Sequence, residues 1–264
     1  MGPTFLRLWG RVRPTLRDRF RAAAIHLSCC MVAAALVLLV VFWGWYPPPL
    51  DRVSGLETIL VIMLGADVIL GPLTTLIIYD PKKKYLRLDL AAVILVQSAA
   101  LAYGLYTVYQ GRPAHLVFVK DRFEVIAPAD IAAEAREKAQ GNAAASVDPL
   151  HPKWVAARMP SDSNERQAIL FEAIERGRDV QHHPHLYEPY GVQATQAAAR
   201  AASLEQLRKL NPEKTADIEA LPRELGVAAD VLRYLPLKGP ARDAAVILRA
   251  DTGEVLRVVS LQPW

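Results

Sequence analysis

One acidic residue lies in the middle of a long apolar stretch and is the side chain most suited to a chemical role. Asp67 belongs to the run 56–79, whose other acid, Glu57, is near one end. In a membrane, a carboxylate at mid-depth is costly, so it is either functional or paired with polar neighbours. A functional Asp67 would relay a proton or dock a partner. A structural Asp67 would be hydrogen-bonded to Gln97 or Ser98, at a comparable depth in the next apolar run.

Small and helix-bending residues surround this acid. Gly65 and Gly71 would let another helix approach closely. Pro72 lacks an N–H group, so it frees a backbone carbonyl and can kink the helix. The same residues would equally serve packing among the helices of this chain, and both interpretations stay open. The candidate intramembrane contact residues are therefore Asp67, Gly71, Pro72, Gln97 and Ser98.

The other reactive side chains do not form a recognisable catalytic or metal-binding set. An intramembrane aspartyl protease needs two carboxylates that share acid and base roles, and a second central acid is absent from the apolar runs. Cys29 and Cys30 lie in an apolar run, where a thiolate is disfavoured. The sequence HHPH at 182–185 has no spaced acid or thiol to complete a metal shell, which favours a solvated loop. We therefore predict a protein that is not an enzyme and that has no cofactor or metal site.

Three long apolar runs define the elements that hold Asp67. The chain has 264 residues, 52% of them hydrophobic, and the runs lie at 25–46, 56–79 and 90–109. Each is close to the ~20 residues that a bilayer core requires. The first run follows a basic leader but ends in Trp, Tyr and Pro residues without a small-residue cleavage site, as in an uncleaved signal anchor. The sequence predicts three transmembrane helices.

The distribution of Lys and Arg predicts the orientation of these helices. The segment 1–24 is strongly basic, the loop 47–55 has only Arg52 opposed by Asp51, and the loop 80–89 has four cations. Because cytoplasmic loops are enriched in Lys and Arg, the N-terminus is expected in the cytoplasm and the C-terminal part in the periplasm of a bacterial inner membrane. Topology and contact with anionic lipid then account for the net charge of +4. A nucleic-acid partner is not expected, because no basic-aromatic face remains.

The remainder of the chain is expected to fold as one α+β domain with a mostly antiparallel sheet. The predicted organisation is a cytoplasmic basic N-terminus at 1–24, a three-helix transmembrane domain at 25–111 and a periplasmic α+β domain at 112–264. Alternating Val and Phe residues predict a hairpin at 115–126. Further helices are predicted at 129–140, 161–176, 192–210 and 212–225. Further strands are predicted at 153–158, 231–237, 244–249 and 254–261.

Six segments together resemble the TfpX/TfpZ-type type IV pilin accessory proteins. They are specific as an ensemble and weak singly, and the resemblance extends over nearly the whole chain. The segments are 19–27, 45–50, 65–74, 80–84, 251–254 and 261–264. In this family, inner-membrane helices precede a periplasmic domain, and the protein is encoded with a pilin and assists its production or assembly. The resemblance carries Asp67, Gly71, Pro72 and the turn 46–49 over as family signatures, and it supplies no catalytic residue.

The resemblance implies an inner-membrane accessory protein that assists type IV pilin stability, assembly or pilus biogenesis. Its partners would be the pilin, contacted in the membrane and in the periplasm, and the lipid bilayer. Two alternatives stay open. One is a membrane-embedded enzyme or transport component that acts through Asp67. The other is a periplasmic ligand sensor, although the cytoplasmic loops are too short for the output domain that a sensor usually has.

Overall fold

The computed structural model describes the backbone of residues 3–264 and the side chains of residues 16–264. The chain forms two compact units, a helical unit up to Val41 plus Leu56–Tyr109, and an outer unit of Phe42–Gly55 plus Gln110–Trp264. The α-helices are α1 Pro3–Val40, α2 Leu50–Val53, α3 Leu56–Ile78, α4 Leu86–Gln110, α5 Ala133–Lys138, α6 Ser163–Arg176, α7 Ala194–Arg200, α8 Leu204–Leu210 and α9 Thr215–Leu225. The strands are β1 His115–Val119, β2 Arg122–Ile126, β3 Lys153–Ala157, β4 Tyr187–Pro189, β5 Ala202–Ser203, β6 Leu232–Lys238, β7 Ala244–Arg249 and β8 Val255–Val259.

The three predicted apolar helices are confirmed. Segments Leu16–Trp45, Leu56–Ile78 and Leu86–Gln110 are long and apolar enough to cross a membrane. Helix α1 begins well before the apolar run, because Leu, Arg and Ala residues of good helix propensity precede that run. A π-helical turn, Val41–Trp45, follows the helix. The side chains of Arg11 and Arg13 in that leader lie outside the described residues.

One stripe on α1 faces α3 inside the helical unit. Cys30, Ala34, Val37 and Val41 are buried at the i, i+4, i+7, i+11 spacing that keeps side chains on one helix face. Most of the remaining apolar side chains of the three helices are exposed, as expected where lipid rather than protein covers them.

The outer unit is built on an eight-stranded mixed sheet. The strand order is β4-β3-β1-β2-β6-β7-β8, and the short β5 pairs with β6. Only two of the pairings in this sheet are parallel, β1 with β3 and β2 with β6, and the other five are antiparallel. The predicted fold class, membrane helices followed by an α+β domain with a mostly antiparallel sheet, is therefore confirmed.

The core of the outer unit includes residues from between the first two long helices. Leu50 and Val53 of α2 are buried in the same cluster as Phe118, Phe123 and residues of β6 and β7. The carbonyl oxygen of Val53 also accepts the backbone N–H groups of 241 and 242, at 3.1 and 3.2 Å. The segment 42–55 is thus an integral part of this unit.

Two predicted helices differ from the structure. The predicted helix 192–210 is interrupted between α7 and α8, because Ala202 and Ser203 pair with β6 and the Ser203 hydroxyl accepts the N–H of Gln206 as the N-cap of α8. The predicted helix 129–140 is reduced to α5 and a preceding 3₁₀ turn, where the Asp130 carboxylate accepts the N–H of Ala127. In both cases a local side-chain hydrogen bond competes with the helix.

Candidate functional site

A hydrogen-bonded pair joins α3 to α4 at the acid that the sequence singled out. The Gln97 side-chain N–H₂ group donates to Asp67 Oδ1 at 2.6 Å and to the Asp67 main-chain oxygen at 2.8 Å. It also lies 3.2 Å from the Cys30 sulfur on α1. Asp67 is buried, whereas Ser98, the other proposed partner, is exposed on α4. Of the two predicted neighbours, the structure therefore brings Gln97 to the acid.

The glycine at position 71 makes room for this pair. A Cβ atom at that position would overlap the side-chain amide of Gln97. Gly71 and Pro72 are both buried in α3, one turn beyond Asp67. Because Pro72 has no N–H group, the carbonyl of Val68 loses its usual helical donor. The small residue at 71 thus lets α4 approach α3 closely enough for Gln97 to reach the carboxylate.

A second polar contact extends the site to the first helix. His26 Nδ1 on α1 lies 2.6 Å from the hydroxyl oxygen of Thr75, which is buried on α3. We refer to these five residues as the polar cluster. They are His26, Cys30, Asp67, Thr75 and Gln97. The sequence analysis did not identify His26, Cys30 or Thr75 as part of this site, although His26 and Cys30 are one turn apart on a single helix face.

Two grooves open onto the polar cluster within the helical unit. One, of about 930 Å³, lies between α3 and α4 and is lined mainly by apolar side chains. The other, of about 670 Å³, is lined by all three long helices and includes His26 and Ser98. Asp67 and Gln97 line both grooves. The polar pair is therefore accessible to a ligand or helix in either groove.

Hydrogen bonds hold the arrangement around Asp67. A neutral amide holds the Asp67 carboxyl group, and the other carboxyl groups that line the two grooves belong to Asp89 and Asp18. Gln97 Oε1 is buried and has no hydrogen-bond partner among the described residues. A buried acceptor of this kind is costly unless a donor reaches it. This oxygen lies over Gly71, so a donor that enters a groove would reach it only after a movement of the Gln97 side chain.

In the outer unit, helix α6 turns its apolar side chains outward. Ile169 is buried, but Leu170, Phe171 and Ile174 are all more than half exposed. We refer to these three residues as the α6 ridge. The helical periodicity of this segment predicted the helix, but it did not identify which face would be buried. Sequence reasoning therefore missed the ridge.

The opposite side of α6 is held by polar contacts with the HHPH segment. Glu165 accepts from Lys138 at 2.5 Å and lies 2.8 Å from His185 Nε2. These hydrogen bonds hold the pKa of the Glu165 carboxyl group below its usual range. Glu172 lies 3.6 Å from His183 Nε2, and burial lowers the pKa of that histidine. Two histidines of the segment thus contact acidic side chains on the inward face of α6.

Among residues 16–264, whose side chains the structure describes, no group of three or more His, Cys, Asp or Glu side chains is arranged to hold a metal ion.

Comparisons with known proteins place the chain in a family. The family described as Fimbrial assembly protein FimB matches residues 14–55. Two relatives from Dichelobacter nodosus, the fimbrial assembly proteins of serogroup I and serogroup E1, are 28% and 27% identical over 228 residues, covering 84% of this chain and 88% of each relative. No solved structure matches the chain.

A third comparison reaches higher identity over a shorter stretch. The fimbrial assembly protein of serogroups C1 and C2 from Dichelobacter nodosus is 33% identical over 121 residues, covering 44% of this chain and 92% of that relative. With the membrane helices and the mixed sheet, these matches confirm the resemblance to type IV pilin accessory proteins. Because that relative is covered almost from end to end, the chain belongs to the fimbrial assembly protein family.

Proposed function

We propose that the protein assists type IV pilin stability, assembly or pilus biogenesis by contacting the pilin both in the inner membrane and in the periplasm. A role in fimbrial assembly follows from the family. The observation that carries the finer proposal is the polar cluster, which opens onto an apolar groove between two membrane helices. A type IV pilin in the membrane has a long apolar helix, and a groove between α3 and α4 suits such a helix.

The unpartnered oxygen of Gln97 adds selectivity to this contact. Apolar packing alone discriminates poorly among helices, because lipid tails are as apolar as their side chains. When the Gln97 side chain turns its Oε1 atom toward the groove, a donor on the pilin helix at that depth would satisfy this acceptor and fix the register of the two helices. Asp67 supports this contact by holding the Gln97 amide through its N–H₂ group.

The α6 ridge is the proposed contact in the periplasm. Exposed apolar side chains on one helix face are typical of a protein-docking surface. Three side chains are far fewer than the ~20–30 residues on each side of a stable protein interface. The ridge therefore suits a transient partner, such as a pilin that passes through during assembly, better than a permanent second copy of the chain.

The proposed topology has residues 1–24 in the cytoplasm, the three helices of 25–111 in the membrane and residues 112–264 in the periplasm. The loop pattern of basic, neutral and basic supports it. The outer unit adds an independent argument, because it contains both the segment 42–55 and the chain from Gln110 onward. Three crossings leave these two segments on the same side of the membrane.

The role is proposed to be non-catalytic. The acid of the polar cluster is held by the neutral amide of Gln97, which also meets the Cys30 thiol, and the imidazole of His26 is paired with the Thr75 hydroxyl. The acid and the imidazole are thus each paired with a neutral group, which suits docking better than acid–base or nucleophilic chemistry. An enzyme or transporter acting through Asp67 would instead require its negative charge. Substitution of this residue separates the two possibilities.

Deletion of the gene, followed by measurement of surface pili and total pilin, tests the function. We expect piliation by the cognate pilin to fall and plasmid-borne protein to restore it. Asp67→Asn keeps hydrogen bonding without charge and should retain partial function, whereas Asp67→Leu should lose it. Unchanged amounts of surface pili and total pilin in the deletion strain would refute the proposal. Complete loss with Asp67→Asn at normal protein level would favour the charge-dependent alternative.

Photo-crosslinking tests the groove directly and has a matched control on the same helix. Val96 and Leu95 of α4 are 69% and 70% exposed, but of these two only Val96 lines the α3–α4 groove. A photoreactive residue at 96 should capture the pilin, and one at 95 should capture it several-fold less. Equal capture at both positions would show that the contact does not use the groove.

A pair of conservative variants tests the α6 ridge. Ile174→Gln removes apolar surface from the ridge, whereas Glu175→Gln changes the adjacent exposed residue and leaves the ridge intact. We expect the first to reduce piliation at normal protein level and the second to leave it unchanged. Equal piliation in the two strains would exclude the ridge from pilin contact.

A further inference from the structure

A loop at the start of β3 exposes two apolar side chains. Residues 146–151 connect a 3₁₀ turn, Ala143–Ala145, to β3, and we refer to them as the 146–151 loop. Val147 and Leu150 in this loop are each 42% exposed. Neither the predicted fold nor the pilin contact gives these side chains a role.

Hydrogen bonds hold the 146–151 loop in one conformation. Asp148 Oδ1 accepts the backbone N–H groups of Leu150 and His151 at 2.8 and 2.9 Å. The Lys153 ammonium group donates to the Ser146 hydroxyl at 2.7 Å and to its carbonyl oxygen at 3.1 Å. The loop is therefore a preformed projection, and its exposed apolar side chains are held in place.

The loop contacts the end of the first membrane helix. The Leu150 side chain lies beside Gly44, where an added Cβ atom would be in ordinary van der Waals contact with Leu150 Cδ2, at 3.5 Å. The ring of His151 meets the Trp43 indole edge to face, with centroids 6.3 Å apart. Trp43 and Gly44 lie in the π-helical turn that ends the membrane-spanning segment Leu16–Trp45, and all four residues belong to the outer unit.

The position of Trp43 indicates what covers the loop. Tryptophan is enriched at the membrane–water interface, and Trp43 is 74% exposed at the end of its apolar run. Side chains that pack beside it reach the same depth. The Asp148 carboxylate accepts backbone N–H groups of the loop, and the nearby Lys153 ammonium group offsets its negative charge.

We propose that the 146–151 loop anchors the outer unit to the bilayer surface, with Leu150, which lies beside the helix end that carries Trp43, and Val147, which is exposed on the same loop, inserted at the boundary between lipid headgroups and acyl chains. The geometry of the loop and of the helix end carries this inference, which does not depend on the pilin contact. Apolar side chains on a rigid projection gain by leaving water for this boundary.

Site-specific fluorescence in liposomes tests the anchor with the full chain. In a background of Cys29→Ser and Cys30→Ser, single variants Leu150→Cys and Val147→Cys would each carry an environment-sensitive fluorophore. The proteoliposomes would contain phosphatidylethanolamine and phosphatidylglycerol. Nitroxide-labelled lipids would quench fluorophores in the membrane, and aqueous iodide would quench fluorophores in water.

Asp121→Cys provides the control position. His115 pairs with Lys153 at the end of β1 nearest the loop, and Asp121 lies in the turn beyond the other end of that strand. At about 3.3 Å per residue, this places the control roughly 13 Å or more from the level of Lys153. Asp121 is exposed, so the label is not expected to disturb the fold.

We expect nitroxide lipids to quench the labels at 147 and 150 at least threefold more strongly than the label at 121, and iodide to show the reverse order. The proposal is overturned if either loop label is quenched by nitroxide lipids no more than the label at 121. It is also overturned if the loop labels become protected from iodide only after pilin is added, because a protein would then be the occupant.

Discussion

The stability of the outer unit should depend on pH through one buried histidine. His115 at the start of β1 is fully buried, and its ring lies 5.2 Å from that of Tyr187. Burial lowers its pKa from 6.5 to about 4, and the charges of Lys153 and Arg112 contribute in the same direction. A contact with the backbone of Ser146 opposes this lowering. The folded outer unit thus disfavours the charged imidazolium form.

The size and sign of the effect follow from linkage between protonation and folding. Between pH 6.5 and about 4, the unfolded chain binds a proton at His115 that the folded chain does not. Stability is therefore full above pH 6.5, falls as the pH decreases and levels off for this group below about 4. The total loss is about 3 kcal/mol, most of which is reached at pH 4.5.

Urea unfolding of the full chain in detergent measures this loss. The tryptophan emission reports on the outer unit, where Trp154 packs on Phe123 with ring centroids 5.1 Å apart. His115→Phe keeps a ring at the site and removes the titration. Its free energy of unfolding should fall by about 2–3 kcal/mol less than that of the natural chain between pH 7 and 4.5. The exposed His151, changed to Phe, serves as control and should leave the loss unchanged. An equal loss in His115→Phe and the natural chain would refute the reasoning.

Two further predictions concern the membrane helices. Reporter enzymes that work only in the periplasm should be active when fused after Trp264 and inactive when fused at Lys83, and activity at Lys83 would reverse the proposed orientation. Gly71→Leu should push the Gln97 amide away from Asp67. We expect this change to lower the free energy of unfolding by about 1–3 kcal/mol and to reduce the protein level on immunoblots. The matched change Gly65→Leu should be silent, because a Cβ atom there meets no neighbour within 4 Å. Equal protein levels for the two variants would show that close approach at position 71 is not required.

The helical unit could be predicted from the sequence because its signal is local. Each apolar run is long enough to span a bilayer, and an acid within such a run needs a partner at its own depth, which pointed to Gln97 or Ser98, and the structure has Gln97 in that place. The contact between His26 and Thr75 could not be predicted in the same way. Histidine and threonine are common in helices, and only the packing of α1 on α3 brings these two together.

The outer unit was predictable in its class but not in its connections. Alternating residues indicated most of the strands, yet the parallel pairing of β2 with β6 joins segments that are far apart in the chain. The outward face of α6 has a similar origin. Glu165 and Glu172 face inward because histidines from a later segment meet them, and periodicity within α6 carries no information about those partners.

The segment 42–55 has a consequence for the order in which the protein is made. It leaves the ribosome early, whereas the strands β6 and β7 that enclose Leu50 and Val53 are among the last residues to emerge. The two membrane helices α3 and α4 are synthesised in between, as an insertion within a discontinuous domain. The apolar side chains of the early segment therefore cannot be buried in this core until the C-terminal strands have been synthesised. For the same reason, a fragment that starts at Arg112 lacks two core side chains and the carbonyl of Val53, so a recombinant outer unit needs both pieces of chain.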